Sequence, residues 1–271
     1  MKIVSFNVNG IRSRLHQLEA LEAKHSPDIV AIQESKAQDA DFPLAAVAEL
    51  GFPHIQIYGQ KSHYGVALLS KTPPTNVVLG VPWREEDQQR RLIAADYQVG
   101  KTKLRVLNGY FPQGESREHP NKFPAKSEFY EDLLKTLEES QSAKKSVLVV
   151  GDMNVAPSDD DIGIGEDNRK RWLKSGKASF LPEEREWLQR LMDWGLYDTY
   201  LDQLGDDERL YSWFDYRSRG FEREPKRGLR IDFMLATKPL MKKLTGGGID
   251  YELRGTPKPS DHCPIWCEFS G

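Results

Sequence analysis

The alternation of apolar and polar positions along the chain predicts many short strands separated by a few helices. Several β-rich runs follow one another with no helical pattern between them, which indicates antiparallel hairpins. We predict strands at residues 2–7, 28–33, 54–58, 65–70, 91–98, 103–111, 146–151, 229–235 and 263–269. We predict helices at about 12–25, 41–50, 122–141 and 182–195. Mixed strands with helices outside them indicate a layered α/β sandwich.

Residues 155–180 depart from this pattern. They contain Pro157, three successive aspartates and three glycines, so we predict a long loop, which in a compact domain is usually functional or disordered. No repeat, low-complexity tract or linker marks a second domain. A chain of 271 residues can form one large core, and we therefore expect a single domain over residues 1–271.

Composition narrows the class of protein. A formal net charge of -3 and a pI near 6.1 argue against coating nucleic acid by bulk charge, but they allow a local basic face. Cys263 and Cys267 lie four residues apart in a predicted strand, about 13 Å from each other, which is too far for a disulfide. The apolar run before Asn7 is too short for the hydrophobic region of a signal peptide, and no apolar run reaches membrane-spanning length. We therefore expect a soluble, cytoplasmic protein with no membrane partner.

Polar side chains gather at five predicted strand ends or in the loops beside them. They are Asn7 with Asn9, Glu34, Asp152 with Asn154, Asp232, and Asp261 with His262. The segment Gly151-Asp152-Met153-Asn154 is the most informative, because side chains two apart in an extended chain point the same way, roughly 6.5 Å from each other. An Asx turn at a strand exit is the alternative for this segment, and turn or capping chemistry is the alternative for the others.

If these ends converge, they form a pocket of four carboxylates, two or three carboxamides and one imidazole. Like charges at that density are unstable without a cation, and oxygen ligands favour Mg²⁺ or Mn²⁺ over zinc. A divalent ion beside a histidine and a candidate base suits hydrolysis of a phosphate ester by direct attack of water. The sequence carries no serine or cysteine nucleophile motif, which disfavours a covalent intermediate. It also carries no P-loop, which disfavours hydrolysis of nucleoside triphosphates.

Two basic segments accompany these residues. Residues 169–177 hold five cations and no acid, and residues 216–230 mix cations with two glutamates after Trp213-Phe214. Solvated charge is the ordinary explanation for such runs. Aromatic residues interleaved with cations instead suggest contact with a nucleic-acid backbone and with an unstacked sugar or base.

Six ordered blocks resemble the exonuclease III/AP endonuclease family of the endonuclease/exonuclease/phosphatase superfamily, over nearly the whole length. The blocks are Lys2-Ile3-Val4-Ser5-Phe6-Asn7, Gln33-Glu34, Gly109-Tyr110-Phe111-Pro112-Gln113-Gly114, Gly151-Asp152-Met153-Asn154, Gly228-Leu229-Arg230-Ile231-Asp232 and Ser260-Asp261-His262. The resemblance implies a four-layer α/β sandwich, in which two facing mixed β-sheets are flanked by helices. It also implies a Mg²⁺-dependent monomer that cleaves duplex DNA 5′ to abasic sites, degrades DNA from 3′ ends as an exonuclease, and removes 3′-phosphates and other 3′-blocking groups.

The resemblance assigns roles to individual residues. The implied metal ligands or near neighbours of the metal are Glu34, Asn7, Asp261, Asp152 and Asn154. Asp152 and Asn154 would align or activate the attacking water. His262, held by Asp232, would hydrogen-bond the scissile phosphate, and Tyr110 would contact the phosphate or the leaving oxygen. Proton routing and the number of metals stay open.

Substrate contacts are also implied. In the family, the positions of Trp213, Leu229 and Ile231 line a pocket for a flipped-out abasic sugar, although strand alternation alone sends the last two to the core. We expect further substrate contacts from Gln113, Arg91, Arg171 and Lys174. The loop 221–227 is longer and more charged than is usual in the family, which leaves the balance of endonuclease and exonuclease activity open.

Two other functions fit parts of this pattern. A phosphoesterase of the same superfamily acting on phosphoinositides or phospholipids would use the same metal chemistry, although the aromatic and cationic segments argue against it. A catalytically silent DNA-binding module would be expected to have lost at least one of Glu34, Asp152, Asp232 or His262, and all four are present.

Overall fold

The computed structural model describes residues 1–84, 89–99, 102–205 and 208–271. Strands in these residues are β1 (Lys2–Asn7), β2 (Ile29–Gln33), β3 (His54–Tyr58), β4 (Val66–Ser70), β5 (Thr75–Leu79), β6 (Leu92–Val99), β7 (Thr102–Tyr110), β8 (Val147–Asp152), β9 (Leu196–Asp198), β10 (Asp232–Thr237), β11 (Leu244–Ile249) and β12 (Ile265–Phe269). Helices are α1 (Leu15–His25), α2 (Leu44–Glu49), α3 (Lys122–Ser140), α4 (Glu166–Lys174), α5 (Pro182–Asp193), α6 (Thr199–Leu204), α7 (Lys238–Met241) and α8 (Tyr251–Arg254).

The strands form two six-stranded sheets, with the orders β11-β12-β1-β2-β4-β3 and β5-β6-β7-β8-β10-β9. Each sheet has one parallel pair near its centre, β1 with β2 and β7 with β8, and its other pairs are antiparallel. A parallel pair needs a crossover connection, and α1 and α3 supply the two crossovers. The prediction of two facing mixed sheets flanked by helices is confirmed.

Strand β8 illustrates how the layers pack. Leu148 and Val150 lie in the core between the sheets, whereas Val147 and Val149 lie in a second core against α3 and α5. A third core joins the first sheet to α1 and α2. Because both faces of β8 are covered, its sequence is a continuous apolar run rather than an alternating one. Within the described part of the chain, no helix has the length and apolar character needed to cross a membrane.

All nine predicted strands are present, two of them (2–7 and 54–58) with the predicted ends and seven with shifted ends, but the predictions missed several elements. The missed elements are β5, β9, β11, α6, α7 and α8. The predicted strand 229–235 begins only at Asp232, because Leu229 makes isolated bridges to Ile162 and Trp213 in neighbouring loops. The predicted strand 263–269 begins at Ile265, and the predicted helices 12–25 and 41–50 begin at Leu15 and Leu44.

The prediction that residues 155–180 form a long loop is wrong in part, because α4 occupies nine of them. None of its side chains is buried, so it has no apolar stripe that periodicity can detect. Charge and ring stacking stabilise it: Glu166 accepts a hydrogen bond from Arg169 at 2.9 Å, acids precede bases along the helix dipole, and the Trp172 ring stacks on that of Phe180.

The cysteine prediction is confirmed. Cys263 and Cys267 are both buried and unpaired. Burial raises the pKa of both thiols well above its usual value. They are inert parts of the core between the sheets.

Candidate active site

The ends of central strands from both sheets meet at one edge of the sandwich. Asn7 ends β1 in the first sheet, and Asp152 ends β8 in the second. The Asn7 side chain donates a hydrogen bond from Nδ2 to Asp152 Oδ2 at 2.9 Å, and both residues are buried. The strand ends that the sequence suggested therefore converge across the two sheets.

Asp152 and Asn154 belong to the same site, but not as two positions of one extended strand. The strand ends at Asp152, and Asn154 has a φ of 54°, in the left-handed region. The Asn154 backbone N–H donates to Asp152 Oδ1 at 3.0 Å, which is the Asx-turn geometry given above as the alternative. The Asn154 side chain donates from Nδ2 to the Phe111 carbonyl at 3.0 Å. The expectation of an extended spacing is thus wrong, and a shared role for the two side chains stays a prediction.

His262 lies between two aspartates. Its Nδ1 lies 2.9 Å from Asp232 Oδ2, and its Nε2 lies 3.7 Å from Asp152 Oδ2. Asp232 is the register partner of Asp152 in the antiparallel pair of β10 and β8, so the sheet itself sets the two carboxylates side by side. The Ser260 hydroxyl accepts a hydrogen bond from the His262 backbone N–H and donates one to the Asn7 carbonyl. Because Nδ1 faces a carboxylate, it carries a proton.

The charges in this pocket perturb one another. Burial raises the pKa of Asp152, and the nearby Asp232 and Glu34 raise it further against the opposing effect of His262. Burial alone lowers the pKa of His262, but the Asp232 and Asp152 carboxylates outweigh it and raise that pKa to about 10. The imidazole is therefore charged at neutral pH, and the pocket still carries an excess of carboxylates.

Tyr110 and Arg91 form the side of the pocket next to Glu34. Tyr110 ends β7 beside Asp152 and makes a side-chain hydrogen bond with Glu34. Burial raises the pKa of Tyr110 well above its usual value, and Glu34 and Asp152 raise it further, so the phenol stays a proton donor. The Arg91 guanidinium lies 3.9 Å from the ring centroid of Tyr64 and 4.8 Å from that of Tyr110.

The donor groups fit a hard divalent cation. Asp152, Asp232 and His262 offer ligand atoms that lie within 4.8 Å of one another. With Nδ1 of His262 engaged by Asp232, the groups left to meet a cation are mostly carboxylate and amide oxygens, the ligands that Mg²⁺ and Mn²⁺ prefer. Burial, with the nearby Asp232 and Glu34 carboxylates, raises the pKa of Asp152, and a bound cation would favour its ionised form.

Trp213 adjoins His262 on the other side of the site. Its backbone forms isolated β-bridges with His262 and Leu229, and its Nε1 donates a hydrogen bond to Asp261 Oδ2 at 3.0 Å. Leu229 and Ile231 are buried in a small apolar cluster beside Trp213, separate from the three main cores. Strand alternation predicted their burial correctly, and the role of this cluster in holding a sugar stays a prediction.

The remaining predicted substrate residues lie around the rim. Gln113 is exposed and lines a cavity of about 240 Å³ together with Arg91 and Tyr110. Arg171 lines a second cavity of about 170 Å³, which also includes Trp213. Lys174 is exposed on α4. These positions permit substrate contact, and their roles stay predictions.

Asp261 and Glu34 engage different partners in the pocket. Its Oδ1 accepts a hydrogen bond from Asn9 Nδ2 at 2.7 Å, and its other oxygen faces Trp213. Glu34 instead pairs with Lys36, whose Nζ lies 3.0 Å from Oε1. Asn9 and Lys36 thus link the two carboxylates through a hydrogen bond of 2.5 Å.

Sequence reasoning missed three groups that shape the site: Lys36, Ser212 and Lys126. The Ser212 hydroxyl accepts hydrogen bonds from the backbone N–H groups of Ile231 and Asp232, each at 3.0 Å. Lys126 is fully buried behind the Asp152 loop. Lys36 could have been predicted, because it lies two residues after Glu34. Ser212 lies in a loop and Lys126 in an amphipathic helix, and neither position indicates a role in the site.

Comparison with known proteins defines the class. Residues 4–262 match the family described as the endonuclease/exonuclease/phosphatase family, and the chain belongs to it. It is 51% identical to exodeoxyribonuclease III of Haemophilus influenzae over 271 residues, covering 99% of this chain and 100% of that protein.

Solved structures give the same result. A 3′ phosphatase from Neisseria, bound to a product DNA hairpin, superposes with a TM-score of 0.88 at 35% identity. An AP endonuclease from Archaeoglobus fulgidus superposes with a TM-score of 0.89 at 32% identity. In both comparisons, 100% of each chain is covered.

Proposed function

We propose that this protein is a Mg²⁺-dependent DNA repair nuclease that incises duplex DNA 5′ to abasic sites. It also removes nucleotides, phosphates and other blocking groups from 3′ ends. The observation that carries the proposal is the junction of Asn7, Asp152, Asp232 and His262 at one edge of the sandwich. The 51% identity to an exodeoxyribonuclease III and the likeness to a 3′ phosphatase and an AP endonuclease support DNA as the substrate.

Glu34 and Asn7 are the groups that we expect to hold the metal, with Asp152 and Asn154 beside them. A bound Mg²⁺ would neutralise phosphate charge and lower the barrier to attack by water. Asp261 would lie close by, and hydrogen bonds from Asn9 and Trp213 hold its two oxygens.

The chain's own groups supply the rest of the chemistry. Asp152 accepts hydrogen bonds from Asn7 and from the Asn154 backbone, which fixes its orientation, and its raised pKa suits a base that takes a proton from water. His262, charged and held by Asp232, would donate from Nε2 to a phosphate oxygen. Tyr110 would donate its phenolic proton to the phosphate or to the leaving oxygen.

Trp213 and the apolar cluster beside it suit an unstacked deoxyribose. Leu229 and Ile231 are almost fully buried, so we expect Trp213 to provide most of the surface that touches the sugar. Arg171 and its neighbours in the cavity next to Trp213 would contact the flanking phosphates.

The test uses a duplex with one central abasic analogue, incubated with Mg²⁺ or with EDTA, with Asp152→Asn beside the wild type. We expect metal-dependent cleavage 5′ to the lesion, lost in the variant. Parallel reactions contain a duplex with a 3′-phosphate and vesicles containing a phosphoinositide. Release of phosphate from lipid without DNA cleavage would favour the lipid phosphoesterase, and tight DNA binding without cleavage of either substrate would favour a silent module. A single-domain organisation, a monomeric state and a cytoplasmic location stay predictions.

A further inference from the structure

Lys126 and Glu184 form an ion pair that is closed off from solvent, since both side chains are 0% exposed. Lys126 lies near the start of α3, and Glu184 lies in the first turn of α5. Their Nζ and Oε1 atoms lie 2.5 Å apart. A buried ion pair is seldom more stabilising than a well-packed apolar pair. The role of this pair therefore depends on the groups that it orients.

The pair holds three loops that meet behind the active site. Besides Glu184, the Lys126 ammonium donates to the carbonyl of Asn154 at 2.8 Å and to that of Gln113 at 3.3 Å. Glu184 Oε2 accepts hydrogen bonds from the backbone N–H groups of Ser179 and Leu181, each at 2.8 Å. All three protons of the ammonium are therefore used, and both carboxylate oxygens are engaged.

Asn154 is the loop residue that most needs this support. Its left-handed backbone is unfavourable for a residue with a side chain, and the Lys126 bond fixes its carbonyl while Asp152 fixes its N–H. Tyr130, one turn further along α3, donates to the Met153 carbonyl at 2.7 Å. The buried face of α3 thus fixes two successive carbonyls directly after Asp152.

We propose that Lys126 and Glu184 are positioning residues that hold Asn154 and Asp152 in the reactive arrangement. The inference rests on the proposed function, because it assigns these residues to the same reaction. Neither side chain faces the pocket, so they act on the rate of the chemical step through the loop and not through substrate affinity. Misplacement of a reacting group by about 1 Å can cost a factor of 100 in rate.

The experiment compares the wild type with Lys126→Met and with the double variant Lys126→Met/Glu184→Gln. The single variant leaves an unpaired buried carboxylate and is at risk of unfolding. The double variant removes both charges while glutamine still accepts the backbone N–H groups of the α5 capping box. We expect kcat for cleavage of abasic duplex to fall about 10- to 100-fold, with KM unchanged within about threefold.

Two control variants separate positioning from stability. Leu21→Ala empties part of the core between α1 and the first sheet, away from α3 and α5, and should lower Tm without lowering kcat. Lys135→Met removes an exposed cation of the same helix α3 and should change neither quantity. A folded double variant with kcat within threefold of the wild type would overturn the proposal.

Hydrogen exchange supplies a readout that needs no substrate. Peptides spanning residues 152–156 should exchange faster in the double variant than in the wild type, and unchanged protection there would also overturn the proposal. If the wild type cleaves none of the substrates, the proposed function fails, and the exchange data still decide whether the pair fixes this loop.

Discussion

Asp152→Asn tests the central group of the site while changing its shape very little. Asp152 is 2% exposed, and its two oxygens accept hydrogen bonds from Asn7 Nδ2 and from the Asn154 N–H. An asparagine has one oxygen, so its amide nitrogen must face one of these two donors. The charge opposite His262 is lost at the same time.

The expected loss of rate follows from these two changes. A positioned general base contributes about 10²- to 10⁴-fold to a reaction, which corresponds to roughly 2.7 to 5.5 kcal/mol of transition-state stabilisation. Duplex binding should change little, because the residue is buried at the base of the pocket and the expected phosphate contacts lie on the rim.

Stability should move in the other direction from activity. The raised pKa of Asp152 means that its ionised form is disfavoured in the folded protein, so at neutral pH this charge destabilises the metal-free fold. Removing it also removes repulsion from Asp232 and Glu34 and the attraction to His262, and this attraction is a smaller effect than burial. Without added metal, we expect the Tm of the variant to equal or exceed that of the wild type.

The assay is single-turnover incision of an abasic duplex, with DNA affinity and Tm measured on the same preparations. A rate within a few-fold of the wild type would remove Asp152 from the mechanism. A large fall in Tm would refute the electrostatic argument, because it would mean that Asp152 is needed for folding rather than maintained at a cost to stability.

Three further predictions concern DNA binding, backbone geometry and pH. Replacing both Arg171 and Lys174 by alanine should reduce the slope of log affinity against log salt by about two, if each contacts one phosphate, and an unchanged slope would place them on a solvated face. Gly151→Ala should destabilise the fold by about 2 to 5 kcal/mol in urea unfolding, because Gly151 has a φ of 139° and a Cβ there would collide with the Gly109 carbonyl; a loss below about 1 kcal/mol would contradict this. Although burial opposes it, hydrogen bonds and a nearby lysine lower the pKa of Asp250 to about 2. This carboxylate therefore stabilises the fold above pH 4 and ceases to do so as the pH falls toward 2, so Asp250→Asn should cost about 1 to 2 kcal/mol at pH 7 and nearly nothing at pH 2.

The sequence predicted the architecture and the polar strand ends that meet at one edge of it, because both depend on local signals. Apolar runs such as Val147–Val150 mark buried strands, and the polar residue that ends each run marks the edge where strands from both sheets meet. The resemblance to a family then indicated that strand ends far apart along the chain belong to one site. Local periodicity alone left open whether Asn7 and His262 would meet.

The missed features depend on tertiary context. Helix α4 has no buried side chain, so its charges rather than an apolar stripe define it. Asn154 leaves the extended conformation because its N–H bonds to Asp152, which an alternation rule does not consider. Lys126 can be buried because Glu184 and two loop carbonyls accept its hydrogen bonds. These groups are distant along the chain, so no local sequence pattern predicts the contacts.

The position of β12 between β11 and β1 has a consequence for synthesis on the ribosome. Among the strands that the structure describes, the first along the sequence pairs with the last, so β1 keeps an open edge until β12 has been made. His262 lies three residues before Ile265, where β12 begins, and is the imidazole of the site. A product truncated before residue 262 would lack both the imidazole and β12, the partner of β1. Incomplete chains should therefore be unable to cut DNA, and the exposed edge of β1 should make them prone to aggregate.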